Sequence, residues 1–146
     1  RETVYCQSFD GKFFRDHAVR ENGILKAEPD STEVCQYYAF FFGVASPERN
    51  GELFETLLHK FGPARKHDTE YPEIAPANAF IGNYLRLEIL MRAGFKEKAL
   101  KNIVGFFGYM ANKTGTLWEN IDTSASCNHC FASYVICWLE KLKNTI

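Results

Sequence analysis

Hydrophobic and polar positions follow two rhythms along this chain. Up to about residue 30 the rhythm is short and broken by turn signals, Phe9-Asp10-Gly11-Lys12-Phe13 and then Glu21-Asn22-Gly23-Ile24. Asp-Gly and Asn-Gly flanked by apolar residues predict tight turns between short strands or extended arms. Beyond that point the rhythm is helical. Pro29-Asp30-Ser31-Thr32-Glu33 reads as a helix start, with Asp30 and Glu33 at capping-box spacing.

Five helices are predicted. The first, about 32–45, carries Val34, Tyr37, Tyr38, Phe40, Phe41, Phe42 and Val44 on every side of a 3.6-residue period, which predicts burial all round. The second opens at Ser46 and Pro47 and closes at Gly62-Pro63. Its stripe is Leu53, Phe54, Leu57, Leu58 and Phe61, with Glu52, Glu55, Thr56, His59 and Lys60 off it. The third, about 75–93, is apolar on most faces through Phe80, Ile81, Tyr84, Leu85, Leu87, Ile89 and Met91, and Gly94 ends it. The fourth, about 96–112, has a narrower stripe in Leu100, Ile103, Phe106, Phe107 and Met110. The fifth, about 127–142, shows Phe131, Tyr134, Val135, Trp138, Leu139 and Leu142.

Buried and amphipathic helices thus alternate, and short connections make successive helices antiparallel neighbours. The pattern predicts an all-α architecture, an arc of an (α/α) toroid whose helices alternate between an inner and an outer layer. Residues 1–146 are expected to form a single domain, with 1–30 as a turn-rich or hairpin entry segment and 31–146 as the helical body. The cut edges of an arc leave apolar faces without neighbours, so self-association through exposed barrel edges is expected.

A length of 146 residues suits one core. Lys and Arg total 17 against 18 Asp and Glu, so nothing in the charge calls for nucleic acid or an anionic membrane as partner. No apolar run approaches the ~20 residues of a membrane span. Aromatic residues make up 15%, which implies heavily packed elements or an aromatic-lined site. The sequence opens at Arg1 without an initiator Met and without the basic start and apolar stretch of a signal peptide, so it reads as a piece, either a mature product or a fragment of something longer. Its Cys residues stand at 6, 35, 127, 130 and 137, an odd number at irregular spacing. Cys127-Asn128-His129-Cys130 encloses a His in a C-x-x-C, yet no second ligand pair follows. Free thiols are expected, with no metal and no cofactor.

The segment between the fourth and fifth helices, Asn112 to His129, exceeds a typical helix–helix connection and keeps a Trp beside a Glu. One reading is a sugar site. There the Trp118 face stacks on a pyranose, Glu119 is shielded for acid–base work, and Asn128 and His129 bond hydroxyls. In the plainer reading Trp118 plugs the loop onto the helices, Glu119 is solvated and His129 caps a helix. The residue types leave both open.

Gly115-Thr116-Leu117-Trp118-Glu119, followed by Ser126-Cys127-Asn128-His129-Cys130-Phe131-Ala132-Ser133, resembles the C-terminal part of the bacterial α-L-rhamnosidase catalytic domain. The helix Ala79-Phe80-Ile81-Gly82-Asn83-Tyr84-Leu85-Arg86-Leu87-Glu88, with Gly94-Phe95-Lys96-Glu97-Lys98-Ala99-Leu100, is similar to the two helices preceding that motif in the family. Asp10-Gly11-Lys12-Phe13 and the Gln36-bearing helix match in style. The resemblance covers nearly the whole chain, and the Trp-Glu and Asn-His pieces are its specific part. It implies a six-hairpin (α/α) barrel and inverting hydrolysis of terminal α-L-rhamnosides, the partner being the terminal L-rhamnose of a glycoside or polysaccharide. Glu119 stands where the family has its general base, His129 where a sugar-contacting His is found, and Trp118 precedes the base as it does there. Leu117 departs from the Thr that often precedes that Trp.

Inverting hydrolysis needs a second carboxyl group roughly 6.5–9.5 Å from the first. The family's general acid lies in an upstream motif that nothing here reproduces. Glu33 reads as a helix cap, Glu73 as a loop residue before Pro76, and Asp10 and Asp16 as turn residues. The resemblance therefore implies a glycosidase fragment with the base side of the site and little or no activity alone. The alternatives are another six-hairpin carbohydrate-active enzyme, a non-catalytic helical interaction module, although the helices share no repeat signature, and a metal protein using Cys127, His129 and Cys130.

Overall fold

In the computed structural model, which describes residues 1–67 and 70–143, the chain divides into two units, Arg1–Ala77 and Asn78–Ile146. The first runs through α1 (Glu2–Ser8), β1 (Ala18–Glu21), β2 (Ile24–Ala27), β3 (Ser31–Thr32), α2 (Glu33–Phe41), α3 (Gly51–His59), a 3-10 turn (Pro63–His67) and β4 (Ile74–Ala75). The second contains α4 (Phe80–Arg92), α5 (Lys96–Ile103), a π-helical turn (Val104–Gly108), α6 (Tyr109–Thr114), a 3-10 helix (Cys130–Val135) and α7 (Ile136–Leu142). The fold is therefore mixed α/β, which corrects the all-α toroid arc. Two small sheets overturn it, an antiparallel β1–β2 hairpin and a parallel β3–β4 pair. None of the described helices is long and apolar enough to cross a membrane.

The hairpin follows from Asn22-Gly23. Both residues take positive φ, 50° and 82°, and Glu21 pairs with Ile24 across the two-residue turn. Asp10 builds the other turn: its Oδ1 accepts the N–H groups of Lys12 (2.8 Å) and Phe13 (2.7 Å), while Phe9 bridges Phe14. Its carboxyl is held below the usual carboxylate range. Partial burial works the other way but is outweighed by those two N–H donors and by the Arg15 cation. The parallel pair departs from the sequence pattern, which places a helix start at about residue 75. Pro76 biases Ala75 toward extended backbone, and Ile74-Ala75 pairs with Ser31-Thr32, so the helix waits until Phe80.

Thr32, not Asp30, caps α2, its Oγ1 accepting the Cys35 N–H at 3.1 Å. Glu33 is thereby freed from capping and lies fully buried. Its carboxylate accepts Arg65 Nη1 at 2.9 Å, the Tyr37 hydroxyl at 2.7 Å and the Ala77 N–H at 3.3 Å. Arg65, also buried, donates onward to the carbonyls of Tyr71 and Ile74. One ion pair thus ties α2, the 3-10 turn and β4 together. Gln36, one turn on, treats Phe14 as a strand partner: Oε1 accepts its N–H at 2.8 Å and Nε2 donates to its carbonyl at 2.9 Å. The burial expected all round α2 is corrected too. Tyr38 and Phe42 are 43% and 56% exposed, stacked on each other, while polar Glu33 and Gln36 take places in the core. By contrast, α3 buries Leu53, Phe54, Leu57 and Leu58, the stripe read from the sequence.

In the second unit Gly94, at φ 84°, closes α4. The helix again buries polar side chains, Asn83 and Arg86, the latter through Nε to Asn102 Oδ1 at 2.6 Å, while Ile81 is exposed. An inner–outer division by hydrophobicity therefore fails here as well. Tyr84 is the hub. Its ring meets Phe80, Phe107, Tyr134 and Trp138, and its hydroxyl donates to the carbonyls of Phe131 and Ala132 and accepts the Val135 N–H.

Arg65→Met leaves the Glu33 charge buried without its cation and is expected to cost about 3–5 kcal/mol in a denaturant titration. Lys26→Met, which breaks the exposed pair with Glu21, should leave that curve in place. Burial, aided by the Asp16 carboxylate, pushes the Cys35 thiol up to about 12. Because the thiolate is the reactive form, iodoacetamide at pH 8 should alkylate exposed Cys6 and Cys130 well before Cys35, as read by peptide mass spectrometry, and the lag should shrink as pH rises toward 12.

Candidate functional site

The chain between Gly115 and His129 is a clamped loop. Gly115, left-handed at φ 74°, ends α6 and turns the backbone away. Two stretches of the loop then face each other. Thr116 Oγ1 donates to the Cys127 carbonyl (2.6 Å), the His129 N–H to the Leu117 carbonyl (2.8 Å), and the Glu119 N–H to the Ser126 carbonyl (2.8 Å). On its other side the loop is tied to the entry of α4. Phe80 N–H donates to the Glu119 carbonyl, Ile121 N–H to the Asn78 carbonyl, and Ala79 bridges Asn120. The backbone of Glu119 is thus fixed from both flanks.

These bonds explain why no helix begins at 127, where one was expected: 127 and 128 bend and His129 is extended. Their backbone is engaged by Thr116 and Leu117, and coiling begins only at Cys130, as a 3-10 helix that becomes α at Ile136. Tyr84 anchors that start. Burial raises its hydroxyl well above the ordinary phenol range despite the opposing Val135 N–H, so it stays a neutral donor to Phe131 and Ala132.

Trp118 is 1% exposed. Its Nε1 donates to Thr114 Oγ1 (2.7 Å), its backbone N–H points at Met110 Sδ (3.4 Å), and its ring meets the edge of Tyr109. The expected sugar-stacking face is therefore absent: Trp118 plugs the loop onto α6, as the plainer reading had it. The rest of that reading does not hold for His129. It occupies the N-cap position, but its side chain makes no capping bond. Instead the imidazole packs on Phe80 (5.0 Å between ring centres) and Phe131 (5.8 Å) and presents Nδ1 to Glu119 Oε2 at 3.9 Å.

Glu119 and His129 are thus brought together, with side chains 45% and 28% exposed, accessible yet held by the clamped backbone. Asn128 is exposed, its N–H directed at Ser126 Oγ. Asp122, the other loop carboxylate, is committed to the loop itself. One oxygen accepts the N–H and hydroxyl of Ser124, and the other accepts Asn78 Nδ2 at 3.3 Å. Glu88 serves Trp138 and Arg92. Burial opposes its ionisation, but the indole N–H and the guanidinium outweigh it and hold the carboxyl low. Among the described residues no three His, Cys, Asp or Glu side chains converge as a metal site would require. Phe80 and Thr114 escaped the sequence reading of the loop. Phe80 reaches it through a long-range backbone bond to Glu119, whereas Thr114 lies at the start of the loop, four residues before Trp118, where a Thr side chain gives no sign that it will hold the indole.

Comparison with protein-family models, with curated proteins and with solved structures finds no match to this chain.

Trp118→Ala removes the plug and is expected to cost about 3–5 kcal/mol of stability. It should also speed hydrogen exchange at the N–H groups of Glu119 and His129, whereas Asn128→Ala should leave both rates unchanged.

Proposed function

We propose that the clamped loop carries the base side of a glycoside-hydrolase site, with Glu119 as general base and His129 as its polar neighbour. The observation that carries the reading is the approach of Glu119 Oε2 to His129 Nδ1 at 3.9 Å, on a backbone fixed from both flanks. A general base must be both reachable and held in place, and a half-exposed carboxylate on a clamped loop meets both requirements. It would take a proton from the water attacking the anomeric carbon. The imidazole of His129, steadied by two rings, is placed to hydrogen-bond either that water or a sugar hydroxyl.

The substrate class rests on the likeness of the Trp118-Glu119 and Asn128-His129 pieces to α-L-rhamnosidases, which hydrolyse terminal α-L-rhamnosides with inversion. The roles are narrower than that likeness implied, because a buried Trp118 shapes the loop and does not stack on sugar. The carboxylates Asp122 and Glu88 are engaged in structural bonds, so neither is offered as the acid partner. A chain with the base alone should turn over weakly, the acid being worth about 10²–10⁴-fold in rate.

The test pairs binding with chemistry. L-Rhamnose titrated into the protein should shift the His129 ring resonances, and silence there sinks the assignment. Hydrolysis of an aryl α-L-rhamnoside, by this chain or a longer one containing it, should fall about 10²–10⁴-fold in Glu119→Gln. Equal rates in both would remove Glu119 as base.

A further inference from the structure

Burial of Trp118 withdraws its ring from the Glu119–His129 pair, and another ring lies beside that pair. Of the two rings that steady His129, Phe80 is 7% exposed and belongs to the core, whereas Phe131 is 70% exposed. A phenyl ring so open to water forgoes the stabilisation of burial and gains when an apolar ligand surface covers it. Its backbone is nevertheless held. Phe131 sits in the first turn of the 3-10 helix, where its carbonyl accepts the Tyr84 hydroxyl at 2.9 Å. The next N–H, that of Ala132, donates to the His129 carbonyl at 3.0 Å. Tyr109, another exposed ring that touches the loop, is already engaged: the Lys113 ammonium lies 5.3 Å from its centre and donates to its hydroxyl at 3.0 Å.

The steps from ring to carboxylate are short. Phe131 and His129 are 5.8 Å apart between ring centres, and His129 Nδ1 is 3.9 Å from Glu119 Oε2. One sugar can therefore rest on Phe131 while a hydroxyl meets His129 and the anomeric carbon faces water at Glu119. What Phe131 can recognise follows from what it lacks. A phenyl side chain has no donor or acceptor, and neighbouring Ser133 donates its hydroxyl hydrogen to the Cys130 carbonyl at 2.6 Å. A hydroxyl pressed against this ring would lose water and gain no partner, whereas a methyl group would bury apolar surface. A 6-deoxy sugar offers such a methyl at C6, and its 6-hydroxy counterpart does not.

We propose that Phe131 is the specificity-determining surface of the Glu119 site, its ring receiving the C6 methyl group of a terminal 6-deoxy sugar. The proposal rests on the glycosidase reading of the loop and adds to it the residue that tells L-rhamnose from L-mannose.

The test is a titration of the isotope-labelled protein with methyl α-L-rhamnoside and with methyl α-L-mannoside. The rhamnoside should shift the His129 ring resonances, show NOEs from its C6 methyl to the Phe131 ring protons, and bind about tenfold more tightly than the mannoside. In Phe131→Ala the two sugars should bind alike. Ile136→Ala, which trims a comparably exposed apolar side chain of the same unit, should keep the preference. No shift at His129 with either sugar removes the glycosidase reading and the proposal with it. A shift at His129 without contact to Phe131, or a preference unchanged in Phe131→Ala, overturns the proposal and leaves that reading standing. Should Phe131→Ala fail to fold, the methyl contact and the preference of the unaltered protein decide.

Discussion

A carboxylate without accessible surface must have its oxygens filled by donors, and in the first unit Glu33 meets that requirement with Arg65, Tyr37 and Ala77. Almost everything else there follows. Arg65 comes from the 3-10 turn that follows α3 in the chain, and its remaining donors fix the carbonyls of Tyr71 and Ile74. With Ile74 fixed, β4 lies beside β3, which in turn sets Thr32 as the cap of α2. A buried pair of this kind adds less to stability than its geometry suggests, because both charges leave water. What it supplies here is order among short elements that bury little surface of their own. In the second unit Tyr84 plays a comparable part with an uncharged group, three hydrogen bonds to the 3-10 helix and four ring neighbours.

Local signals in the sequence were read well where the physics is local. The tight turn at Asn22-Gly23, a turn at Asp10 and the buried stripe from Leu53 to Leu58 each follow from residues a few positions apart. The failures share a cause. Hydrophobicity was taken as the measure of what lies inside, yet Glu33, Gln36, Asn83 and Arg86 are inside and Tyr38, Phe42 and Ile81 are out. The polar residues are admitted because distant partners satisfy them, and no window of sequence reveals a partner such as Arg65, 32 residues on. The inner and outer layers, inferred from apolar patterning alone, went with that assumption. At the loop, Trp118 is held by Met110 and Thr114: Met110 stands in the apolar stripe that periodicity reveals, but the bond from the indole to the Thr114 hydroxyl and the approach of Glu119 to His129 have no periodic signal.

The Glu119 loop and the start of α3 are built in opposite ways. At the loop, backbone bonds on both flanks of Glu119 hold a side chain that itself remains in water, so position is fixed while the carboxylate stays open. At the start of α3 the reverse holds: the Asn50 side chain is withdrawn from water and its Oδ1 has no hydrogen-bond partner among the described residues. Fixed exposure suits a group that must exchange protons with a moving partner.

The π-helical turn at Val104–Gly108 bears on how the loop could change over generations. Such a turn amounts to one residue inserted into an α-helix, and each residue turns everything beyond it by about 100°. Because of it, Met110 and Thr114 emerge from the rod on the side where Trp118 lies. Loss of a single codon within Val104–Gly108 would straighten the rod into plain α-helix while carrying both residues away from the indole. The orientation of the Glu119 loop is therefore open to a one-residue deletion in a helix that contributes no side chain to the Glu119–His129 pair, and lineages differing there would differ in the loop without any substitution inside it.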